Sequence, residues 1–230
     1  FKKFIKNMKI FAFIFARGGS KGLKNKNLKK VKGVSLVARA IKQAKKIKQI
    51  DQVFVSSDEK KILTEGYSKG ASTILRPKFL CKDNALEINS WVHAINFLKK
   101  KKINFDLMLV LPCTSPLRSD KDIIKCIKKF KKNLHMIMTV FKTKYHPALN
   151  IVKKTNFNYI KKLNQNDKIN QRQDVKNIYL IANSVYLFSP QKILNKPSLF
   201  GGKVIGVEIP KNRAIDIDDE IDLKICRTLL

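Results

Sequence analysis

Phe11-Ala-Phe-Ile-Phe-Ala-Arg-Gly-Gly-Ser-Lys-Gly22, running on through Lys24-Asn-Lys-Asn27, reads as a strand that ends in a glycine-rich, cationic loop. The apolar run from Phe11 to Phe15 predicts a short buried strand. Gly18 and Gly19 admit positive φ and leave backbone N–H groups facing outward with no Cβ in the way. Arg17, Lys21, Lys24 and Lys26 place positive charge around that concavity. A polyphosphate is the expected occupant, although a tight surface turn would use the same glycines. The spacing matches neither G-x-x-x-x-G-K-[ST] nor G-x-G-x-x-G.

Downstream, Ser35 is placed to cap a helix whose residues Leu36, Val37, Ala40, Ile41, Ala44 and Ile47 share one face. Gln52 to Ser56 reads as a strand, with Ser57-Asp58 as the expected cap of a helix from about Lys60 to Lys69. Ser72 to Leu75 is a third short strand. Ile88, Trp91, Val92, Ile95 and Leu98 mark another amphipathic helix, ended by a run of four lysines. Leu107 to Leu111 is wholly apolar, as central parallel strands are. Ser119-Asp-Lys-Asp122 resembles a capping box and opens a helix with Ile123, Ile124, Ile127 and Phe130 inward. Met136 to Phe141 is the next strand. This alternation predicts an α/β fold with a mainly parallel sheet flanked by helices. Ligands of such sheets bind at the carboxyl ends of the strands. The Gly-Gly loop, Ser56-Ser57-Asp58 and Pro112 to Arg118 all lie at such ends, so they should line one cleft.

Regularity breaks at Lys142. From there to Val185 the chain is rich in Asn, Lys, Gln and Tyr, with strand-like pieces only at Ile151–Val152 and Phe157–Ile160, and it reads as an inserted arm. Val185 to Phe188 and Val204 to Ile209 return to strand character, and Glu220 to Leu230 is a final helix. Asp216 and Asp218 alternate with Ile215 and Ile217, so on an extended strand both carboxylates point the same way. Paired carboxylates facing a basic cleft are a hard-cation site; Asp218 or Asp219 can also cap the last helix.

At 230 residues the chain is long enough for one large domain, here residues 8–230, with residues 142–185 as an arm within it and 1–7 as an extension ahead of Met8. A hydrophobic content of 44% is that of a globular protein, and no run reaches the 18 residues of a membrane span. The net charge of +32 invites a nucleic-acid reading. The lysines are spread through every segment, however, which favours a compositional bias and leaves nucleic acid and membrane out of the expected partners. Cys81, Cys113, Cys126 and Cys226 are widely spaced and read as free thiols in a reducing cytosol. His93, His135 and His146 carry no ligand spacing and read as structural.

Several stretches resemble, in order, the motifs of the CMP-N-acylneuraminate synthetases, including those for legionaminic and pseudaminic acids. Ala16 to Gly22 with Lys26-Asn27 resembles the first motif. Leu75-Arg-Pro77 followed by Asp83-Asn-Ala85 resembles the second, and Thr114-Ser-Pro-Leu-Arg118 the third. Arg172-Gln-Asp174, then Asn183-Ser-Val-Tyr186, resembles the segment that holds the sugar carboxylate, and Arg213 to Leu223 resembles the metal motif. Glu87 stands where that family has a small hydroxyl residue, Pro112 where it has glutamine, and Leu199 where it has one aromatic of a pair. A basic residue that the family often carries after the His-Pro step is here Leu149.

The resemblance implies a Rossmann-like nucleotidyltransferase fold and transfer of CMP from CTP to a 2-keto-3-deoxy nonulosonic acid, with pyrophosphate released. A Kdo-type eight-carbon sugar is the alternative acceptor, and a basic nucleic-acid-binding protein the alternative from another class. It implies nucleotide contacts at Arg17, Gly18, Gly19, Ser20, Lys21, Lys26, Asn27, Arg76 and Ala85. Sugar contacts are implied at Arg172, Asn183, Tyr186 and Phe200, and Mg²⁺ at Asp216 and Asp218. Arg17, Lys21, Asp216 and Asp218 are the implied catalytic groups. A cytoplasmic homodimer, exchanging the 142–185 arm between subunits, completes the expectation.

Overall fold

The structure, a computed structural model, describes residues 7–164 and 177–230. Strand β1 (Ile10–Phe15) lies inside a seven-stranded sheet, flanked in parallel by β4 (Gln52–Ser57) and β6 (Leu107–Val110). Beyond β4 the sheet ends at β5 (Ser72–Leu75), and beyond β6 it continues through β10 (Tyr179–Phe188), β7 (Met136–Lys142) and β11 (Val204–Glu208). All pairings are parallel except those of β10, which runs antiparallel to both β6 and β7. The mainly parallel α/β sheet expected from the sequence is therefore present, with one reversed strand at its centre. Two small hairpins, β2 (Lys30–Val31) with β3 (Val34–Ser35) and β8 (Val152–Lys154) with β9 (Ile160–Lys162), stand outside it.

Side chains of β1 alternate between the two faces, as a period of two requires. Ile10, Ala12 and Ile14 join the core under α1 (Leu36–Lys46), α4 (Asp120–Lys129) and α6 (Glu220–Leu229). Phe11 and Phe13 face the other way, toward Phe54 and the Trp91 side of α3 (Glu87–Lys100). Ser35 caps α1 by accepting the Ala38 N–H at 3.1 Å. Ser119 and Asp122 form the expected capping box of α4, and Asp219 with Asp222 forms another at α6.

Helix α2 (Lys60–Ser68) departs from expectation, because its cap is Glu59. Asp58 instead accepts the Gly18 N–H at 2.9 Å, an alternative partner that lies 40 residues away in sequence. The 142–185 segment is also less separate than its composition suggests. Its last seven residues, from Tyr179 on, enter the main sheet in β10, where Tyr179 to Ile181 pair with Val140 to Lys142. Among the described residues of the segment, the β8–β9 hairpin and its flanks stand clear of the sheet. The register slips between Ile181 and Tyr186, and Asn183 sits there at φ 45°. Such a bulge re-aims a side chain without breaking the strand.

Candidate active site

The carboxyl ends of β1, β5 and β6 open into one cavity of about 510 Å³. Its wall includes Arg17, Ser20, Lys21, Lys26, Asn27, Arg76, Ala85, Asn183, Tyr186, Asp216 and Asp218, which sequence reasoning had singled out from five separate segments. Gly18 and Gly19 lie outside this wall. The Gly18 amide does not face a ligand, because Asp58 already accepts it. Gly19 supplies the positive φ (65°) that turns the loop, and Gly22 allows a close approach: a Cβ there would sit 2.6 Å from the Asp218 carbonyl. Phe200, expected at the sugar, also lies outside the cavity. It is 65% exposed on the loop after α5 (Pro190–Asn195), while Leu199 beside it packs against the core. Arg172 lies outside the described residues.

Arg76 follows β5 directly and is buried. Its Nη1 donates to Ser90 Oγ at 2.9 Å, whereas Nε and Nη2 are buried with no partner. Unpaired buried donors of a guanidinium are costly, so they mark a place where a ligand acceptor belongs. Phe15 lies beneath, its ring centroid 6.0 Å from the Arg76 Cζ. At the mouth, Arg17 Nη1 donates to Asp83 Oδ1 at 3.0 Å and to the Cys81 carbonyl at 3.1 Å, and Lys21 Nζ meets Asp83 Oδ2 at 2.6 Å.

On the opposite wall the β10 bulge does the positioning. Tyr186 Oη donates to Asn183 Oδ1, and Asn183 Nδ2 donates to Asp216 Oδ2 at 3.3 Å. Residues 214–218 form no strand; they are irregular chain, tied down where the Ile217 N–H donates to the Thr114 carbonyl at 2.8 Å. Ile217 is buried in the core while both aspartates line the cavity, so the alternation inferred from the sequence survives without sheet pairing. Asp216 Oδ1 is buried with no hydrogen-bond partner. Burial raises the Asp216 pKa, helped by the Asp218 charge and opposed by the Thr114 hydroxyl, Asn183 and Lys26. Lys26 Nζ meets Asp218 Oδ1 at 2.9 Å. Two carboxylates on one wall, with one Asp216 oxygen unsatisfied, fit a hard divalent cation.

Further wall residues escaped the sequence reading of the site. Glu87 opens α3 and turns its carboxyl into the cavity beside Trp91. Desolvation of the carboxyl within the cavity raises its pKa and the Asp216 charge adds to that, against the Arg76 charge. Cys113 donates its thiol to Asn27 Oδ1 at 3.2 Å, and Asn27 Nδ2 donates to the Arg17 carbonyl at 2.9 Å. Burial pushes the Cys113 thiol up to about 12, so it stays a donor at neutral pH. Asp83 had been noticed only as part of a motif, and its two cationic partners are 62 and 66 residues away in sequence. Arg118, the end of the third motif, lies behind the wall. Its Nη1 donates to the carbonyls of Pro112 (3.0 Å) and Ser184 (2.6 Å), and its Nε to Gln43 Oε1 (3.0 Å).

The chain is 30% identical over 224 residues to the post-translational flagellin modification protein B of Campylobacter coli, covering 96% of this chain and 94% of that one. A CMP-N,N'-diacetyllegionaminic acid synthase of Campylobacter jejuni is 29% identical over 224 residues, with the same coverage of 96% and 94%. In three dimensions, a CMP:2-keto-3-deoxy-manno-octonic acid synthetase complexed with CTP superposes with a TM-score of 0.71. At 16% identity, covering 96% of this chain and 98% of that one, it supports the fold alone. The sequence model of the cytidylyltransferases matches residues 11–201, most of the chain and nearly the whole cavity wall, and the protein belongs to that family.

Proposed function

We propose that the protein transfers CMP from CTP to the anomeric hydroxyl of a 2-keto-3-deoxy nonulosonic acid of the legionaminic or pseudaminic kind. The observation that carries this reading is the cavity itself. Buried Arg76 donors at one end, a cationic mouth, and the Asn183–Asp216 wall at the other give room for a base, a triphosphate and an acceptor in that order. Arg76 Nε and Nη2 are donors suited to cytosine O2 and N3, and a main-chain carbonyl near Ala85 suits the exocyclic amine. Arg17, Lys21 and Lys26 supply charge along the phosphates. The anomeric hydroxyl then attacks the α-phosphorus, the bond to the pyrophosphate oxygen breaks, and fixed cations stabilise the charge that builds on both sides.

Asp216 and Asp218 are the residues that would hold Mg²⁺, since the buried Asp216 Oδ1 has no other partner. When bound, that ion supplies positive charge to the transferring phosphate. On the acceptor side Tyr186 and Asn183 line the wall, and Pro112 offers no side-chain hydrogen bond. A glycerol tail rich in hydroxyls loses partners there, at about 1–3 kcal/mol each. The less hydroxylated deoxy, diamino sugars suit such a wall better than N-acetylneuraminic acid, and relatives such as the legionaminic acid synthase support that choice. The enzyme is further read as a homodimer of the cytoplasm.

Pyrophosphate release measured with CTP, Mg²⁺ and a panel of keto-acid sugars tests this reading. Legionaminic- or pseudaminic-type acids should give the highest kcat/KM. A tenfold preference for N-acetylneuraminic acid overturns the acceptor assignment, and no release with any nonulosonic acid overturns the reaction.

A further inference from the structure

Asp83 is the one acidic group at the cationic mouth that pairs with both Arg17 and Lys21, among the described residues. It sits in the short loop between the 3₁₀ turn at Lys78–Cys81 and α3, while its two partners belong to the loop after β1. The two ion pairs therefore span the opening from one lip to the other. All three side chains line the cavity and stay in contact with solvent, with relative exposures of 38% for Arg17, 79% for Lys21 and 49% for Asp83. A carboxylate with one oxygen on each cation has the charge and the spread of one phosphoryl group. It stands where the outer phosphates of a bound triphosphate would need those same two cations.

We propose that Asp83 is an internal stand-in for the β- and γ-phosphates: it holds Arg17 and Lys21 in the free enzyme, yields them to CTP, and takes them back as pyrophosphate leaves. The inference rests on reading the cavity as a CTP site. Its consequence is selective. A ligand that carries β- and γ-phosphates must displace Asp83, so the carboxylate weakens both CTP and pyrophosphate by one common factor. CMP has only the α-phosphate, and leaves the pairs in place. Weakening the leaving product as much as the substrate favours turnover, because pyrophosphate that keeps both cations would block the next CTP. Because exposed pairs are individually weak, the effect of losing the carboxylate is modest.

Calorimetric titration of CTP, pyrophosphate and CMP into the whole protein and into Asp83→Asn tests the proposal. The variant should bind CTP and pyrophosphate about threefold to tenfold tighter, the range that two exposed ion pairs allow, with CMP unchanged. In a Lys21→Ala background the gain should shrink, since one of the two competed-for cations is gone. An equal gain for CMP means that Asp83 acts as general negative charge and overturns the stand-in. Weaker or unaltered pyrophosphate binding means that Asp83 serves to position Arg17, and overturns it too. If the unaltered protein binds no CTP at millimolar concentration, the CTP-site reading itself falls; if it binds CTP and pyrophosphate and Asp83→Asn shows no gain, only the stand-in falls.

Discussion

Asp216 and Asp218 are two residues apart and have different surroundings. Asp216 is half-buried behind Asn183 with one oxygen unsatisfied, and Asp218 is exposed and paired with Lys26. Changing either to Asn keeps the shape and removes one charge from the cation site. We expect kcat to fall on the order of a hundredfold for each, the usual scale for losing one electrostatic contact to a transferring group. Near-normal turnover at low Mg²⁺ in both variants would remove them from the metal site. These aspartates were legible from the chain because their chemistry is local: two acids at a spacing of two, in a lysine-rich protein. Arg76 was legible through the likeness of Leu75-Arg-Pro77 to a family motif. Asp58, Glu87, Asp83 and Arg118 were not, because their roles come from partners set by the fold. Arg118 ends the Thr114-Ser-Pro-Leu-Arg118 motif beside the cleft, yet its donors go to Pro112, Ser184 and Gln43, so it braces the wall from behind. No local pattern tells a bracing arginine from one that binds a ligand.

At the scale of elements, the segment that carries the two aspartates has no sheet pairing and depends on tethers. Arg213 makes a two-pronged ion pair with Asp122 at the start of α4, Nε to Oδ2 and Nη2 to Oδ1, both at 2.9 Å. Asp122 also accepts the Ser119 N–H in the capping box, so one buried carboxylate joins a helix start to the loop that carries Asp216 and Asp218. Burial raises the Asp122 pKa, but Arg213 and Ser119 outweigh it and the net shift is downward. A depressed carboxylate gives stability that is complete above its ordinary value of 3.8 and is lost as pH falls through the lower, folded value. Asp122→Ala removes the pair and the half of the capping box in which the carboxylate accepts the Ser119 N–H, and keeps the Ser119 Oγ bond to the backbone N–H of residue 122. Because Arg213 is a third exposed, the loss is discounted to about 2–3 kcal/mol, less than for a fully buried pair. Urea unfolding at pH 7 should show that loss, and the difference from the unaltered protein should narrow below about pH 4. A constant difference across that range would mean that the loss does not come from the ionised carboxylate. The places of the strands and helices and the caps at Ser35 and Ser119 were readable in the sequence because apolar period and Ser caps are local signals, whereas the Glu59 cap was not. The β10 bulge was not: Asn183 at φ 45° is forced by pairing with two strands at once, and no residue at that site announces it.

The whole molecule carries a charge of +32, and its lysines coat every helix. A field of that sign attracts CTP and an acidic sugar at long range, and salt screens it within about 8–10 Å. Charge of one sign also opposes association, so any contact between copies needs apolar surface to offset it. The arm has such a surface. Val152, Phe157, Tyr159, Ile160 and Leu163 are all exposed on or beside the β8–β9 hairpin, and Leu180 and Ile181 are exposed at the start of β10, where it pairs with β7. A two-stranded hairpin is marginal by itself, and this many large apolar side chains exposed on one short segment call for a partner surface. The expected occupant is the same surface of a second copy, because a two-fold interface sets each patch against itself. Light scattering at micromolar concentration should give about twice 26.4 kDa. Replacing Ile160 and Leu180 together with Asp puts two charges per subunit into that contact, and should halve the mass while leaving the core of the sheet intact. A mass near 26.4 kDa for the unaltered protein would overturn the dimer. A dimer that survives the double change would move the interface elsewhere on the surface. Salt separates the two contributions: screening the lysines should strengthen the dimer and weaken CTP binding in the same titration, because the charge that draws in the nucleotide also holds the subunits apart.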